Sequence, residues 1–377
     1  MNPEDVCPVC AREAPVPKWT PFWQCLFNAA SGSMTAHGHS AAWFECCEAF
    51  SICNTTYGGG GFHFCGVYRP GDGWLQAEPD LGEEHRSRLT ERLDVLAQPP
   101  PAEWVERLRA LGSVRLALHW KPNMVESVHH EFFSQWLATA GPGPPVTVVD
   151  CTRYQFAARY WPAPAASRLS AEWGEWISVM QAGLRLPDVV MPRIYTCWPT
   201  FEATPRGIFR RFLELAFGLP EKTEPMLLVC LRWNWRRWDM AEALRFVALC
   251  RERLRCRIVV QGCPPPGEEP ELPAGVESLF GTDIEAQVEA AKRATYCVVP
   301  HGAAMLWSWI SAAPTLEMMP PCAAHLLTDF ASLPLGANVK RILTNSTEWN
   351  GNFDRPNAEE AFAAMMEHGA QTGAMLK

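Results

Sequence analysis

The sequence predicts an α/β protein built on parallel sheets, and three observations carry that expectation. From about residue 104 onward, short apolar runs alternate with amphipathic segments, the rhythm of strands layered against helices. The runs are apolar throughout, not alternating, as strands covered on both faces must be. With 377 residues, 48% of them hydrophobic and 20% charged, the chain can bury a full core and is long enough for two or three domains.

Four zones follow in order. Residues 1–105 are rich in Cys, Gly, Pro and aromatics, with breakers at Gly58 to Gly61 and Pro99 to Pro101. Only about 83–97 has a helical period there, so the zone is expected to be an irregular Cys-rich segment. Residues 106–220 read as a first α/β lobe: a strand at Val114–His119, a helix from about Val125 to Ala138, and a strand at Val146–Asp150. A helix beginning at Ser170 would put Trp173, Trp176, Ile177, Met180 and Leu184 on one core face. A strand at Val189–Tyr195 follows, then a helix with Thr204 as N-cap and Pro205 in its first turn, ending before Gly218.

Residues 221–350 form the most regular zone. Strands are expected at Met226–Leu231, Arg257–Gln261, Tyr296–Pro300, Thr315–Met319 and Val339–Thr344. Between them, Asp239 with Glu242 reads as a capping box, Thr282 with Glu285 as a second cap, and a short helix spans about Gly302 to Ala312. Residues 351–377 hold a last helix, Ala358 to about His368, long enough to cross back over the first lobe.

Lys plus Arg is 33 against Asp plus Glu 41, a net charge of −8. No whole-chain basic field exists for non-specific nucleic-acid binding, so an anionic ligand needs a local basic cluster. No stretch approaches the roughly 18 to 20 apolar residues of a membrane span. The start, MNPEDVCPVC, has no signal-peptide character. As written the chain is expected in the cytoplasm, with the Golgi or ER lumen as the alternative if the N-terminus is incomplete.

Fifteen cysteines and 17 tryptophans stand out, and seven of the cysteines precede residue 66. Cys7-x-x-Cys10 is half of a zinc site. Cys25, His37, His39, Cys46 and Cys47 could complete it, but none reproduces a standard spacing. Free buried thiols are the leading expectation, with disulfides and zinc as alternatives.

In parallel sheets, ligands sit at the carboxyl ends of strands. After Met226–Leu231 comes Arg232-Trp233-Asn234-Trp235-Arg236-Arg237-Trp238, three guanidiniums among three indoles. Guanidinium binds phosphate bidentately and indole stacks on a base or sugar; a solvated loop over packed tryptophans is the other reading. After Tyr296–Pro300 comes His301-Gly302-Ala303-Ala304, where a helix N-terminus with small residues offers free N–H groups to an anion. His301 could donate to a diphosphate there, or be a satisfied turn histidine. Glu317, at the next strand's end, could accept from ribose hydroxyls.

Taken together, the arginine-bearing strand end, the helical unit and PHGAAMLWSWISAAPTLEMMPP resemble the C-terminal half of the family-61 glycosyltransferases over about residues 222–320. Pro192-Arg193 through Gly218 is similar to the segment leading into that half. The resemblance implies a GT-B fold, two Rossmann-like lobes facing a cleft, with donor on the second lobe and acceptor on the first. It implies metal-independent, inverting transfer from a nucleotide sugar, a UDP-sugar by this reading, to a glycan or glycoprotein acceptor, with no cofactor beyond the donor. Arg232, Arg236, Arg237, His301, Gly302, Ala303 and Glu317 would form the donor site. Asn123 and His129-His130-Glu131-Phe132-Phe133-Ser134 match the family's upstream pattern, except that Ser134 stands at its acidic position. His130, then Glu131, are the candidates for general base. No Asp-x-Asp occurs to hold a divalent ion. A degenerate homologue serving as a nucleotide- or protein-binding module is the alternative, and no Gly-x-Gly-x-x-Gly supports an NAD enzyme.

Overall fold

The computed structural model describes residues 6–13, 18–28, 33–55, 62–78, 83–120, 128, 132–152, 155–162, 167–192, 206–234, 236–302, 304–321, 338–348 and 351–374. The chain divides into two compact units, one of Met1–Asn28 with Met34–Ala203, the other containing Thr204–Lys377. The architecture is α/β with parallel sheets, as expected.

The first unit opens with a correction. The zone expected to be irregular is a five-stranded antiparallel sheet, β1 (Trp19–Asn28), β2 (Ser33–Phe44), β3 (Ala49–Thr55), β4 (Phe62–Arg69) and β5 (Gly73–Ala77), in sequential order. Its pattern was hard to read because a bulge shifts the register at Ile52/Cys53 and another at Val67/Tyr68, breaking the two-residue period. Helices α1 (Glu83–Ala97) and α2 (Ala102–Arg109) follow.

A parallel four-stranded sheet then forms from β6 (Val114–His119), β7 (Val146–Asp150), β8 (Ser167–Ser170) and β9 (Val189–Val190), ordered β8-β7-β6-β9. Helices α3 (Phe133–Thr139), α4 (Phe156–Tyr160) and α5 (Trp176–Arg185) connect them. One core unites the antiparallel sheet, through Phe50, Ile52 and Tyr68, with Leu116, Leu118 and Met180 of the α/β layer. The boundary expected at 105/106 is therefore not a domain boundary. Ser170 ends a strand and does not begin a helix, and α5 starts six residues later, so Trp173 is 63% exposed and not core. Lys18 ties β1's approach to the end of α5, donating to the carbonyls of Gly183, Leu186 and Val189.

The second unit begins with α6 (Arg206–Phe217) and holds a six-stranded parallel sheet ordered β12-β11-β10-β13-β14-β15. The strands are β10 (Met226–Cys230), β11 (Arg257–Gln261), β12 (Glu277–Ser278), β13 (Tyr296–Pro300), β14 (Thr315–Met319) and β15 (Val339–Leu343). The helices are α7 (Met240–Arg253), α8 (Ile284–Arg293), α9 (Met305–Ser311) and α10 (Ala358–Thr372). Strands β10, β13 and β14 are buried at every position, β10 and β13 with apolar sequence throughout and β14 with Thr315 and Glu317 among its apolar residues.

Caps follow the sequence with local changes. Asp239 caps α7 by accepting from the Glu242 amide, but the Glu242 carboxylate reaches the Ala358 amide at the start of α10 instead of closing a capping box. Asp283, one residue after the expected Thr282, caps α8. The full capping box belongs to Asn357 and Glu360 on α10. That helix packs Ala361, Phe362 and Met365 against α7 and the sheet of its own unit.

Candidate functional site

Between β10 and β13 the strand order of the second unit reverses, since β11 and β12 lie on one side and β14 and β15 on the other. Such a switch point leaves a crevice at the carboxyl ends of the two central strands, because their following loops turn away in opposite directions. Arg232 and Arg236 follow β10 at this place, and His301 and Gly302 follow β13.

The two loops meet through charge. Arg232 Nη1 donates to the His301 carbonyl at 3.0 Å, and Arg236 Nη1 donates to the same oxygen at 3.2 Å. Gly302 makes this possible. Its φ is +110°, and a β-carbon there would stand 2.7 Å from Arg236 Nη1 and 3.1 Å from Arg232 Nη1. Burial lowers the pKa of Arg232, yet a guanidinium stays protonated under any ordinary condition.

Behind the arginines lies a buried row. His301 Nδ1 is 2.7 Å from Glu317 Oε1, and Arg341 Nε donates to Glu317 Oε2 at 3.0 Å. Sheet register places these groups, because Glu317 on β14 pairs with Val299 on β13 and with Arg341 on β15. Burial raises the Glu317 pKa, but the His301 hydrogen bond and the Arg341 charge outweigh it and hold the group below the usual carboxylate range. Burial holds His301 below the ordinary imidazole value against the pull of Glu317, with Arg236 and Arg232 lowering it further. The row therefore contains an ionised carboxylate and a neutral imidazole near pH 7.

Several expected roles change. His301 is 2% exposed and engaged with Glu317, so its ring orders the turn and does not present itself at the surface of the crevice. Glu317 is fully buried with each oxygen accepting from the row, which leaves it behind the crevice, not in reach of a ribose. The helix expected from Gly302 begins at Met305, and Ala303 lies outside the described residues. Arg237 contributes its backbone, donating to Asn352 Oδ1 and accepting from the Phe353 amide. Trp238 is core, and Trp233, half-buried, meets Phe280 edge-on; Trp235 lies outside the described residues. His130 and Glu131 also lie outside them. Arg341 was missed, because a lone arginine in an edge strand carries no motif.

In the first unit, His119 closes β6 fully buried, with both ring nitrogens lacking a hydrogen-bond partner among the described residues. Phe132 and Trp161 meet its ring edge-on at 5.6 and 6.0 Å. Burial pushes its pKa down to about 4. Nearby Asp150, at the end of β7, is saturated by Thr152 and by the amides of Ala157 and Ala158. The same unit gathers Cys7, Cys10, Cys46 and Cys47, their sulfurs all within 4.8 Å of one another. The expectation of buried thiols fails here, because Cys10 and Cys46 are exposed.

A cavity of about 380 Å³ lies between Lys222, Thr295, Pro314 and Gly373, at the amino ends of the second unit's strands. That is the end of a parallel sheet opposite to ligand crevices. Among the described residues, no helix is long and apolar enough to cross a membrane.

No family model and no curated protein matches the chain, so the family-61 resemblance gains no support from them. Solved structures similar to it are glycosyltransferases. The E. coli ADP-heptose lipopolysaccharide heptosyltransferase II is 15% identical, with a TM-score of 0.45 over 70% of this chain and 100% of that one. The iron-containing dodecameric glycosyltransferase TibC from enterotoxigenic E. coli is 11% identical, with a TM-score of 0.37 over 94% of each chain. A family-9 glycosyltransferase from Veillonella parvula is 13% identical, with a TM-score of 0.33 over 71% of this chain and 77% of that one.

Proposed function

We propose that this chain is a glycosyltransferase that holds the diphosphate of a nucleotide sugar at the crevice between β10 and β13. The observation that carries the reading is the convergence of Arg232 and Arg236 on one carbonyl at a topological switch point. Among the described residues, the guanidiniums of Arg232, Arg236 and Arg341 gather here with the carboxylate of Glu317, and His301 is neutral. This local excess of positive charge suits an anion of charge two or more, inside a protein whose net charge is −8. Guanidiniums match phosphate oxygens bidentately.

In transfer, an acceptor hydroxyl oxygen bonds to the anomeric carbon and gives its proton to the general base while the bond from that carbon to the diphosphate oxygen breaks, and negative charge grows on the leaving diphosphate. Arg232 and Arg236 stabilise that charge, while the Glu317 row fixes the turn that sets their position. The lack of an Asp-x-Asp motif supports a metal-independent route. We assign the general base to His130, with Glu131 second, inversion as the stereochemical course, UDP-sugar as donor, and a glycan or glycoprotein as acceptor, all on the family-61 resemblance.

The test is nucleotide binding by calorimetry across UDP, ADP, GDP and CDP, followed by donor hydrolysis in the presence of EDTA. Binding of one diphosphate, weakened roughly 10- to 100-fold by Arg232→Ala or Arg236→Ala, supports the reading. His130→Ala is expected to spare binding and abolish turnover. Binding with no transfer or hydrolysis would instead identify a nucleotide-binding module, and no binding of any diphosphate overturns the proposal.

A further inference from the structure

We propose that Cys7, Cys10, Cys46 and Cys47 together form a closed tetrathiolate site for one zinc ion. The four sulfurs lie within 4.8 Å of one another, and Cys10 Sγ and Cys46 Sγ are 3.5 Å apart. Tetrahedral zinc with Zn–S bonds of about 2.3 Å spaces its sulfurs by about 3.8 Å, so the set already has the size of the ion's ligand shell. The 3.5 Å separation is far beyond a disulfide bond of about 2.05 Å. All four are free thiols.

Two turns, distant in sequence, present the ligands, and each is shaped by its own backbone. In the first, Val6 bridges Glu13, the Cys7 amide donates to the Arg12 carbonyl at 2.8 Å, and the Ala11 amide donates to the Cys7 carbonyl at 2.9 Å. Ala11 takes a φ of +58° to close that turn. The second turn is the single 3-10 turn Glu45–Cys47 between β2 and β3, closed by Glu48 at a φ of +46° and held by Arg69 Nε on the Cys47 carbonyl at 3.2 Å.

Four sulfur ligands select a thiophilic ion, and four protein ligands leave no position for water or substrate. The site is therefore structural. What it would hold follows from its surroundings, because among the described residues the apolar cluster beneath it has five buried members, Cys7, Trp19, Ala42, Phe44 and Cys53. So small a cluster gives the 6–13 turn little hydrophobic anchorage, and metal binding supplies it instead.

The experiment is elemental analysis of the full chain, purified without chelator or added metal from zinc-supplemented cells, combined with intact-mass measurement. About one zinc per chain is expected, falling roughly tenfold or more in Cys10→Ser and Cys46→Ser but not in Cys263→Ser, an exposed cysteine elsewhere in the chain. Should the variants fail to fold, cobalt exchanged into the native protein keeps the question open to decision. Tetrahedral d–d bands with thiolate-to-cobalt charge transfer support the site, and an octahedral spectrum overturns it. Iron in place of zinc overturns the zinc assignment. Metal-free protein, or a mass deficit showing disulfides among these cysteines, overturns the site itself.

Discussion

At the residue scale, Gly302 and His119 show two ways in which one side chain sets a local limit. Gly302 combines a left-handed φ with a position where any β-carbon meets two guanidiniums. Gly302→Ala is expected to cost about 2 to 3 kcal/mol, from backbone strain and displaced arginines, read as a lower denaturant midpoint. Nucleotide affinity should fall about tenfold in the same variant, because the arginines can no longer both reach the His301 carbonyl. His119 acts through protonation. Its folded pKa of about 4 lies below the ordinary value of 6.5, so the unfolded chain takes up the proton first as pH falls. Its contribution is complete above about pH 6.5 and is lost progressively down to about pH 4, by up to ~3 kcal/mol. Urea unfolding of His119→Leu should show a shallower loss across that window than the native chain. Equal slopes would refute this.

At the element scale, β13, β14 and β15 work as a unit because pairing register lines up Val299, Glu317 and Arg341. Glu317→Gln removes the charge that both His301 and Arg341 face, and breaking a buried pair costs about 3 to 5 kcal/mol. The expected result is destabilisation of that size together with weaker nucleotide binding. Loss of stability with unchanged affinity would show that the row does not position the crevice.

Elements were legible where one period ruled. Unbroken apolar runs mark β10 and β13 to within a residue, and Asp239 marks the start of α7. The antiparallel sheet was not legible, because its bulges interrupt the alternation that identifies a half-buried strand. The donor loop was half legible. Arg232, Arg236 and Gly302 do converge, but whether a histidine or a glutamate faces outward depends on burial, and local sequence does not encode that. Arg341 enters only through pairing with β14, a relation between residues 24 positions apart.

For the whole molecule, two units with separate cores imply two responses to ligands. A ligand stabilises only the folded state that binds it. Calorimetric scans should therefore resolve nucleotide and chelator effects into different transitions. Saturating diphosphate should raise the transition of the second unit, and metal chelation should lower that of the first. A single transition moved by both would refute separate melting.

The second unit's sheet also ends in a way that matters outside the folded molecule. A parallel sheet of apolar strands is a template on which another chain could add a strand at either edge. One edge, β12, is only two residues long. The other, β15, carries Lys340 and Arg341, with Lys340 paired to Glu367 of α10 and Arg341 committed to Glu317. A neighbouring strand docking on β15 would meet the partly exposed Lys340 and its ion pair with Glu367, so charge on that edge works against aggregation.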